Sequence, residues 1–166
     1  MPALEAGVIA PQIKLTSLEG QEFSLEEARR KGPVVLAFFK VSCPVCQLAF
    51  PYLERIYKAY GPSGKFTLAG VSQDNARDTQ AFNRQFGVSF PVLLDDPGKY
   101  AASNAYGLTN VPSIFLISAA GDIELSTVGW SKPETEELGR RLAVASGLPP
   151  ARIISPSERV AEFKPG

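Results

Sequence analysis

Cys43 and Cys46 are the only cysteines in 166 residues, and they stand three apart in the segment Cys43-Pro44-Val45-Cys46. Two thiols at that spacing can cycle between dithiol and disulfide: one attacks a disulfide, and the second resolves the mixed species that forms. The thiolate is the reactive form, and an ordinary thiol with a pKa of about 8.5 is mostly protonated at neutral pH, so the attacking sulfur needs a stabilised anion. From Pro44 to about Tyr60 the apolar residues Leu48, Tyr52, Leu53, Ile56 and Tyr60 recur at helical spacing and predict an amphipathic helix closed by Gly61-Pro62. Cys43 then lies at the helix start, where unpaired N–H groups and the positive end of the helix dipole converge. Pro44 in the first turn wastes no donor there. This assigns Cys43 as nucleophile and Cys46, on the same side of the first turn, as resolving thiol. Only Pro and Val separate them, so no cation sits inside the motif to hold the thiolate more strongly, which favours a reductant over a strong oxidant.

Other uses of the pair fit less well. A zinc site needs two further ligands, and the chain has no third cysteine and no histidine. A bridge between residues three apart constrains the unfolded chain little, so a purely structural staple gains little. The absence of histidine also removes the hydrolase triads that depend on an imidazole base. No metal or other cofactor is implied. A third reading, a non-catalytic binder holding a cuprous ion between two thiolates, lacks methionine support, since Met1 is the only one.

The elements that must position the cysteines alternate apolar strand-like runs with helix-like ones, as in an α/β sheet. An alternating stretch over Gln12 to Leu18 turns at Glu19-Gly20. Ser24 then caps a short acidic helix that ends by Gly32-Pro33. Val34-Val35-Leu36-Ala37-Phe38-Phe39 reads as a strand buried on both faces and leads straight to the cysteines. A strand over Phe66 to Ser72, a helix over Ala76 to Phe86 capped by Gly87, and a short strand-like Phe90 to Leu94 follow. After the Asp95-Asp96-Pro97-Gly98 turn comes a helix around Lys99 to Tyr106. Strands at Ile114 to Ile117 and Ile123 to Thr127 flank a Gly121-Asp122 hairpin signal, and Pro133 to Ser146 forms the last helix. Residues 1–147 read as one domain and 148–166 as a tail packed on it or mobile.

Val35 to Pro51, with Phe39 four before the nucleophile and Pro51 five after Cys46, resembles the active-site strand and helix of thioredoxin-like proteins, in particular TlpA-like disulfide reductases and the wider redoxin (AhpC/TSA) group. Gly70 to Asp74, Phe90 to Gly98 and Asn110 to Ile117 resemble the matching segments of that group, and the similarity covers roughly Val8 to Gly147. The resemblance implies a thioredoxin-like fold: a central mixed β-sheet flanked by helices, with a short N-terminal β-hairpin and a C-terminal tail. It also implies a cis bond at Val111-Pro112 that turns the Val111 backbone toward the cysteines to pair with an extended substrate. Val128-Gly129-Trp130 would border that groove, with Trp130 either a substrate contact or, as lone tryptophans more often are, core packing. Lys40, three before Cys43, would support the thiolate by Coulomb attraction if its stem bends over the site, and is otherwise a solvated strand-end lysine, the commoner case.

Three departures from the family pattern matter. Ser42 stands where most members have tryptophan, which predicts a more open site. Ala37 and Ala49 stand where thioredoxins and many TlpA-like reductases place carboxylates, so the proton acceptor for Cys46 is unassigned. The rival within the fold is a peroxiredoxin-like peroxidase, which places a threonine or serine three before the reactive cysteine and a proline four residues earlier. Those positions are Lys40 and Leu36.

Seventeen basic residues balance seventeen acidic ones, so no basic field exists to recruit nucleic acid or anionic lipid. No run approaches the roughly twenty apolar residues that span a bilayer. The expected partners are a disulfide-containing protein or small thiol substrate and an external electron donor, for a chain acting as a monomer. As written, the start carries no secretion signal and predicts the cytoplasm, or the periplasm or exterior if a signal has been removed.

Overall fold

A computed structural model describes residues 3–166, and its sheet begins with the expected hairpin. Strands β1 (Lys14–Ser17) and β2 (Glu22–Ser24) pair antiparallel, and Gly20, at φ +81°, supplies the turn conformation that a residue with a Cβ resists. Ser24 Oγ accepts the Glu27 amide at 3.1 Å and starts helix α1 (Leu25–Arg29). Strand β3 (Val34–Phe39) is buried along all six residues, as its unbroken apolar text requires.

Helix α2 (Pro44–Tyr60) follows the cysteine turn. Gly61-Pro62 does not stop it by a left-handed glycine. Gly61 stays right-handed at φ −57° and passes into a short 3-10 turn, Gly61–Ser63, and Gly64 at φ +68° makes the reversal instead. Strand β4 (Thr67–Ser72), helix α3 (Ala76–Phe86) and strand β5 (Val92–Leu94) come next. Helix α4 is shorter than its text suggests, Ala101–Ala105. The buried Asp95 carboxylate accepts the amides of Ala102 and Ser103 at 3.2 and 2.8 Å, so the helix starts at this cap, while Tyr100 is left-handed at φ +47°. Strands β6 (Ser113–Ile117), β7 (Ile123–Val128) and β8 (Trp130–Ser131), helix α5 (Lys132–Ser146) and strand β9 (Phe163–Lys164) complete the chain.

Among the described residues, seven strands form one mixed sheet in the order β2-β1-β5-β4-β3-β6-β7, with β3 parallel to β4 and antiparallel to β6. Alternation along β3 divides the core. Val35, Ala37 and Phe39 face a cluster built with α2, α3 and α5, whereas Val34, Leu36 and Phe38 face one built with α1, α4 and the N-terminal segment. Phe39 meets Phe50 at 4.3 Å and Phe82 at 4.9 Å between ring centroids, a rigid aromatic floor under the first turns of α2.

The core does not end with α5. Ile153 and Ile154, each 8% exposed, belong to the cluster that holds Cys46, Phe50 and Leu142. The Ala151 amide donates to the Tyr60 hydroxyl at 2.7 Å, and Arg55 bonds both the Ile153 carbonyl and the Glu158 carboxylate. Among the described residues, no helix is long and apolar enough to cross a membrane.

Candidate active site

Strand β3 delivers the chain to the sheet edge, and the Lys40-Val41-Ser42 turn carries it into α2. The turn closes where the Cys43 amide donates to the Lys40 carbonyl at 3.2 Å. Cys43 is the N-cap of α2, with extended φ −82° and ψ 114°, and its Sγ accepts the Cys46 amide at 3.2 Å. Sulfur thus takes the place of the usual capping oxygen, facing the unpaired N–H groups of the first turn.

The turn itself is pinned from two sides. The Val41 amide donates to Asp74 Oδ2 at 2.8 Å, and Gln47 Nε2 donates to the Val41 carbonyl at 2.9 Å. Asp74 reaches it because β3 and β4 run parallel with Phe39 opposite Ser72, which brings both C-terminal ends to one edge. Ser72 Oγ accepts the Asp74 amide at 3.1 Å and shares a 2.7 Å bond with Thr79 Oγ1, which fixes the approach of the carboxylate.

Both cysteines are free thiols and they differ sharply in setting. Cys43 is half-buried; Cys46 is fully buried, at 0% exposure. Burial pushes the Cys46 thiol far up, and its hydrogen bond to Cys43 and the charges on Cys43 and Asp74 push the same way. The Lys40 backbone is the one group pulling it down. Cys46 is therefore a neutral thiol at physiological pH.

The Val111-Pro112 peptide bond is cis. The Val111 carbonyl accepts from Cys43 Sγ at 3.4 Å, across 68 residues of sequence. Buried Pro112 immediately precedes β6, and its carbonyl accepts the Gly129 amide at 2.8 Å, so the loop before β8 is tied to the same corner. Ser113 Oγ donates to the Asn110 carbonyl at 2.7 Å and holds the preceding turn.

Cys43, Pro44, Cys46, Val111 and Pro112 are thus gathered at one place. Lys40 joins through its main chain; its exposed side chain borders a polar cavity that Gln73, Asn104, Asn110 and Val111 also line. Of the two roles open to Trp130, core packing is the one the structure fits. It is 1% exposed, stacks on Tyr52 at 5.1 Å between centroids, and donates its indole N–H to the Ala161 carbonyl at 2.6 Å. A large ring with one polar edge is buried here because the tail supplies that edge with an acceptor. Ser42 is exposed, in keeping with an open site, and Ala37 and Ala49 are packed in the core around Cys46. Sequence reasoning missed Asp74 and Gln47. The signal for Asp74 was its place just past a strand parallel to β3.

The AhpC/TSA family matches residues 6–126. Thiol-disulfide oxidoreductase ResA of Geobacillus thermodenitrificans is 32% identical over 132 residues, which is 80% of this chain and 74% of the relative. The protein of the same name from Halalkalibacterium halodurans is 32% identical over 133 residues, again 80% and 74%. Among solved structures, a thiol:disulfide interchange protein from Bacteroides sp. superposes with TM-score 0.69 at 25% identity, covering 85% of this chain and 90% of that one. The thioredoxin domain of a thiol-disulfide oxidoreductase from Bacteroides vulgatus gives TM-score 0.73 at 23% identity, covering 84% and 98%, and shows the fold to be thioredoxin-like.

Proposed function

The chain belongs to the AhpC/TSA family and is a thiol-disulfide oxidoreductase, and on that premise we propose that it reduces protein disulfides with Cys43 as attacking thiol and Cys46 as resolving thiol. The Cys43 thiolate attacks one sulfur of the substrate disulfide, forming a Cys43–substrate mixed disulfide and expelling the other substrate sulfur as thiolate. Cys46 then gives up its proton and attacks Cys43 Sγ. The Cys43–Cys46 disulfide forms, and the second substrate thiol leaves. An external dithiol donor restores the pair with two electrons, and the chain acts as a monomer.

One observation supports this division of labour above the rest: Cys43 is half-exposed at a helix N-cap beside the Val111 carbonyl, and Cys46 is wholly buried one turn on. A buried neutral thiol cannot compete for substrate, but it is within hydrogen-bonding reach of the sulfur it must attack. We assign Asp74 as the carboxylate that assists removal of the Cys46 proton, because its charge bears on that thiol while its Oδ2 is fixed by the Val41 amide.

Insulin-disulfide reduction with dithiothreitol tests the reading. Wild type turns over and Cys43→Ser falls to background, while reduced Cys46→Ser, mixed with insulin after dithiothreitol has been removed, performs only the first attack and accumulates a mixed disulfide visible as a mass increment. If wild type and Cys43→Ser are equally inactive on insulin while hydrogen peroxide is consumed, the peroxidase reading replaces this one.

A further inference from the structure

An extended peptide that docks by edge pairing needs free main-chain groups along a strand or loop next to the reacting atom. Beside Cys43 those groups belong to Val111 and to the Gly129–Ser131 stretch, and the chain's own tail already lies against them. Phe163 and Lys164 pair antiparallel with Ser131 and Trp130, and the Lys132 amide donates to the Glu162 carbonyl at 2.9 Å. A Cβ on Gly129 would stand 2.5 Å from the Lys164 carbonyl oxygen and 3.0 Å from the Gly166 nitrogen, so the two backbones are in direct contact. Asn110 Nδ2 donates to the Gly166 carbonyl at 3.1 Å, and Gly166 packs against the Val111 carbonyl, the same oxygen that accepts the Cys43 thiol.

The tail covers a second wall as well. Val160, Ala161 and Lys164 face Pro44, Val45 and Leu48 across a hollow beside the first turns of α2. The opposite side of Val111 stays open, as the polar cavity bordered by Lys40, Gln73 and Asn104. The tail contains no cysteine, so this occupant cannot itself be reduced. Its hold is slight at the end: the β8–β9 ladder has two residue pairs, and Phe163 is 59% exposed.

We propose that residues 162–166, beyond the Ala161 carbonyl that anchors the Trp130 indole, are a specificity element that fills the peptide groove beside Cys43 and discriminates against extended polypeptide disulfides, while small disulfides reach the sulfur from the polar side of Val111. This rests on Cys43 being the attacking thiol. An extended substrate must displace the tail before it can pair with Val111 and β8; a small disulfide need not.

The test compares insulin with oxidised glutathione as substrates. Lys164→Pro removes the amide opposite Trp130, and a proline does not fit a paired strand. Glu162→Lys replaces a 3.8 Å ion pair with Lys132 by like charges at an exposed side chain, with no buried group changed. Lys164→Pro is expected to raise kcat/KM for insulin several-fold and Glu162→Lys to raise it by a smaller, salt-sensitive factor, and both leave that for glutathione disulfide unchanged. A synthetic peptide of residues 159–166, added in excess, should return the Lys164→Pro rate on insulin toward the wild-type value. Equal change on both substrates, or no change in either variant, overturns the proposal. Adding Cys43→Ser to each background must abolish both activities; if it does not, the assignment of the attacking thiol fails, whatever the substrate ratio.

Discussion

Cys43 and Cys46 have the same side chain and opposite surroundings, and the difference has measurable consequences. Burial holds the Cys46 thiol well above its ordinary value, so above pH about 9 the unfolded chain releases a proton that the native chain keeps. The stabilising contribution is full below that pH and is lost progressively as pH rises, a slope that Cys46→Ala should remove from denaturant titrations between pH 8 and 10. Asp74→Asn keeps an acceptor for the Val41 amide and deletes a charge that raises the Cys46 thiol. In a Cys43→Ala background the substitution should shift the alkylation profile of Cys46 to lower pH. In the intact dithiol it should slow resolution of the mixed disulfide, because the assisting carboxylate is gone. An unshifted alkylation profile would remove Asp74 from the site. The pair itself was legible from its text because strand, helix start and proline lie within seventeen residues of sequence. Asp74 was not, because its role depends on the register of Phe39 against Ser72, which no local pattern reports.

Among the elements, α2 was readable to its bounds, since one amphipathic period runs unbroken from Pro44 to Tyr60. Helix α4 was not, because a side chain outside it, Asp95, decides where it begins. The tail was the least readable element: Pro149, Pro150 and Pro156 exclude a helix, but nothing periodic announces Ile153 and Ile154 as core or β9 as a strand. What satisfies the buried Trp130 is hidden from its local text for the same reason, as its indole partner Ala161 lies 31 residues away in that tail. One ion pair ties the tail to α2. Arg55 Nη2 meets Glu158 Oε1 at 2.7 Å, and that guanidinium, with the Ser155 amide, holds the Glu158 carboxyl below its ordinary 4.5. A depressed acid stabilises the fold above its unfolded pKa, and the contribution is lost as pH falls below about 4.5. Exposed pairs contribute little and salt screens them, so the effect should be small and salt-sensitive. The Tm of Glu158→Gln should lie slightly below wild type at pH 7 in low salt and coincide with it at pH 3. A difference that persists at pH 3 would point to lost packing, not lost charge.

At the scale of the whole molecule, the sheet separates two cores, and the one that carries the cysteines is also the one the tail completes. Phe39 and Phe50 beneath the cysteine turn, Leu138 and Leu142 of α5, and Ile153 and Ile154 share a single cluster. A tail that merely lay on a finished domain could fray without cost to the rest, whereas residues buried among α2 and α5 must unfold together with them. Ile153→Ala and Ile154→Ala should therefore each cost about 2–5 kcal/mol of global stability, as buried isoleucine truncations do. For a chain of this size each kcal/mol lowers Tm by about 2–4 °C. Circular dichroism at a helical wavelength and Trp130 fluorescence should report one coincident transition in both variants, because the indole sits between α2 and the tail. If fluorescence melted early while helicity kept the wild-type midpoint, the tail would be an independent unit. Anchored at Ile153 and Ile154 yet held at Phe163 by a two-pair ladder, the tail has a firm base and a loose tip. That is the arrangement a displaceable strand requires: the tip can leave the groove beside Cys43 while the base keeps the aromatic floor under the dithiol intact.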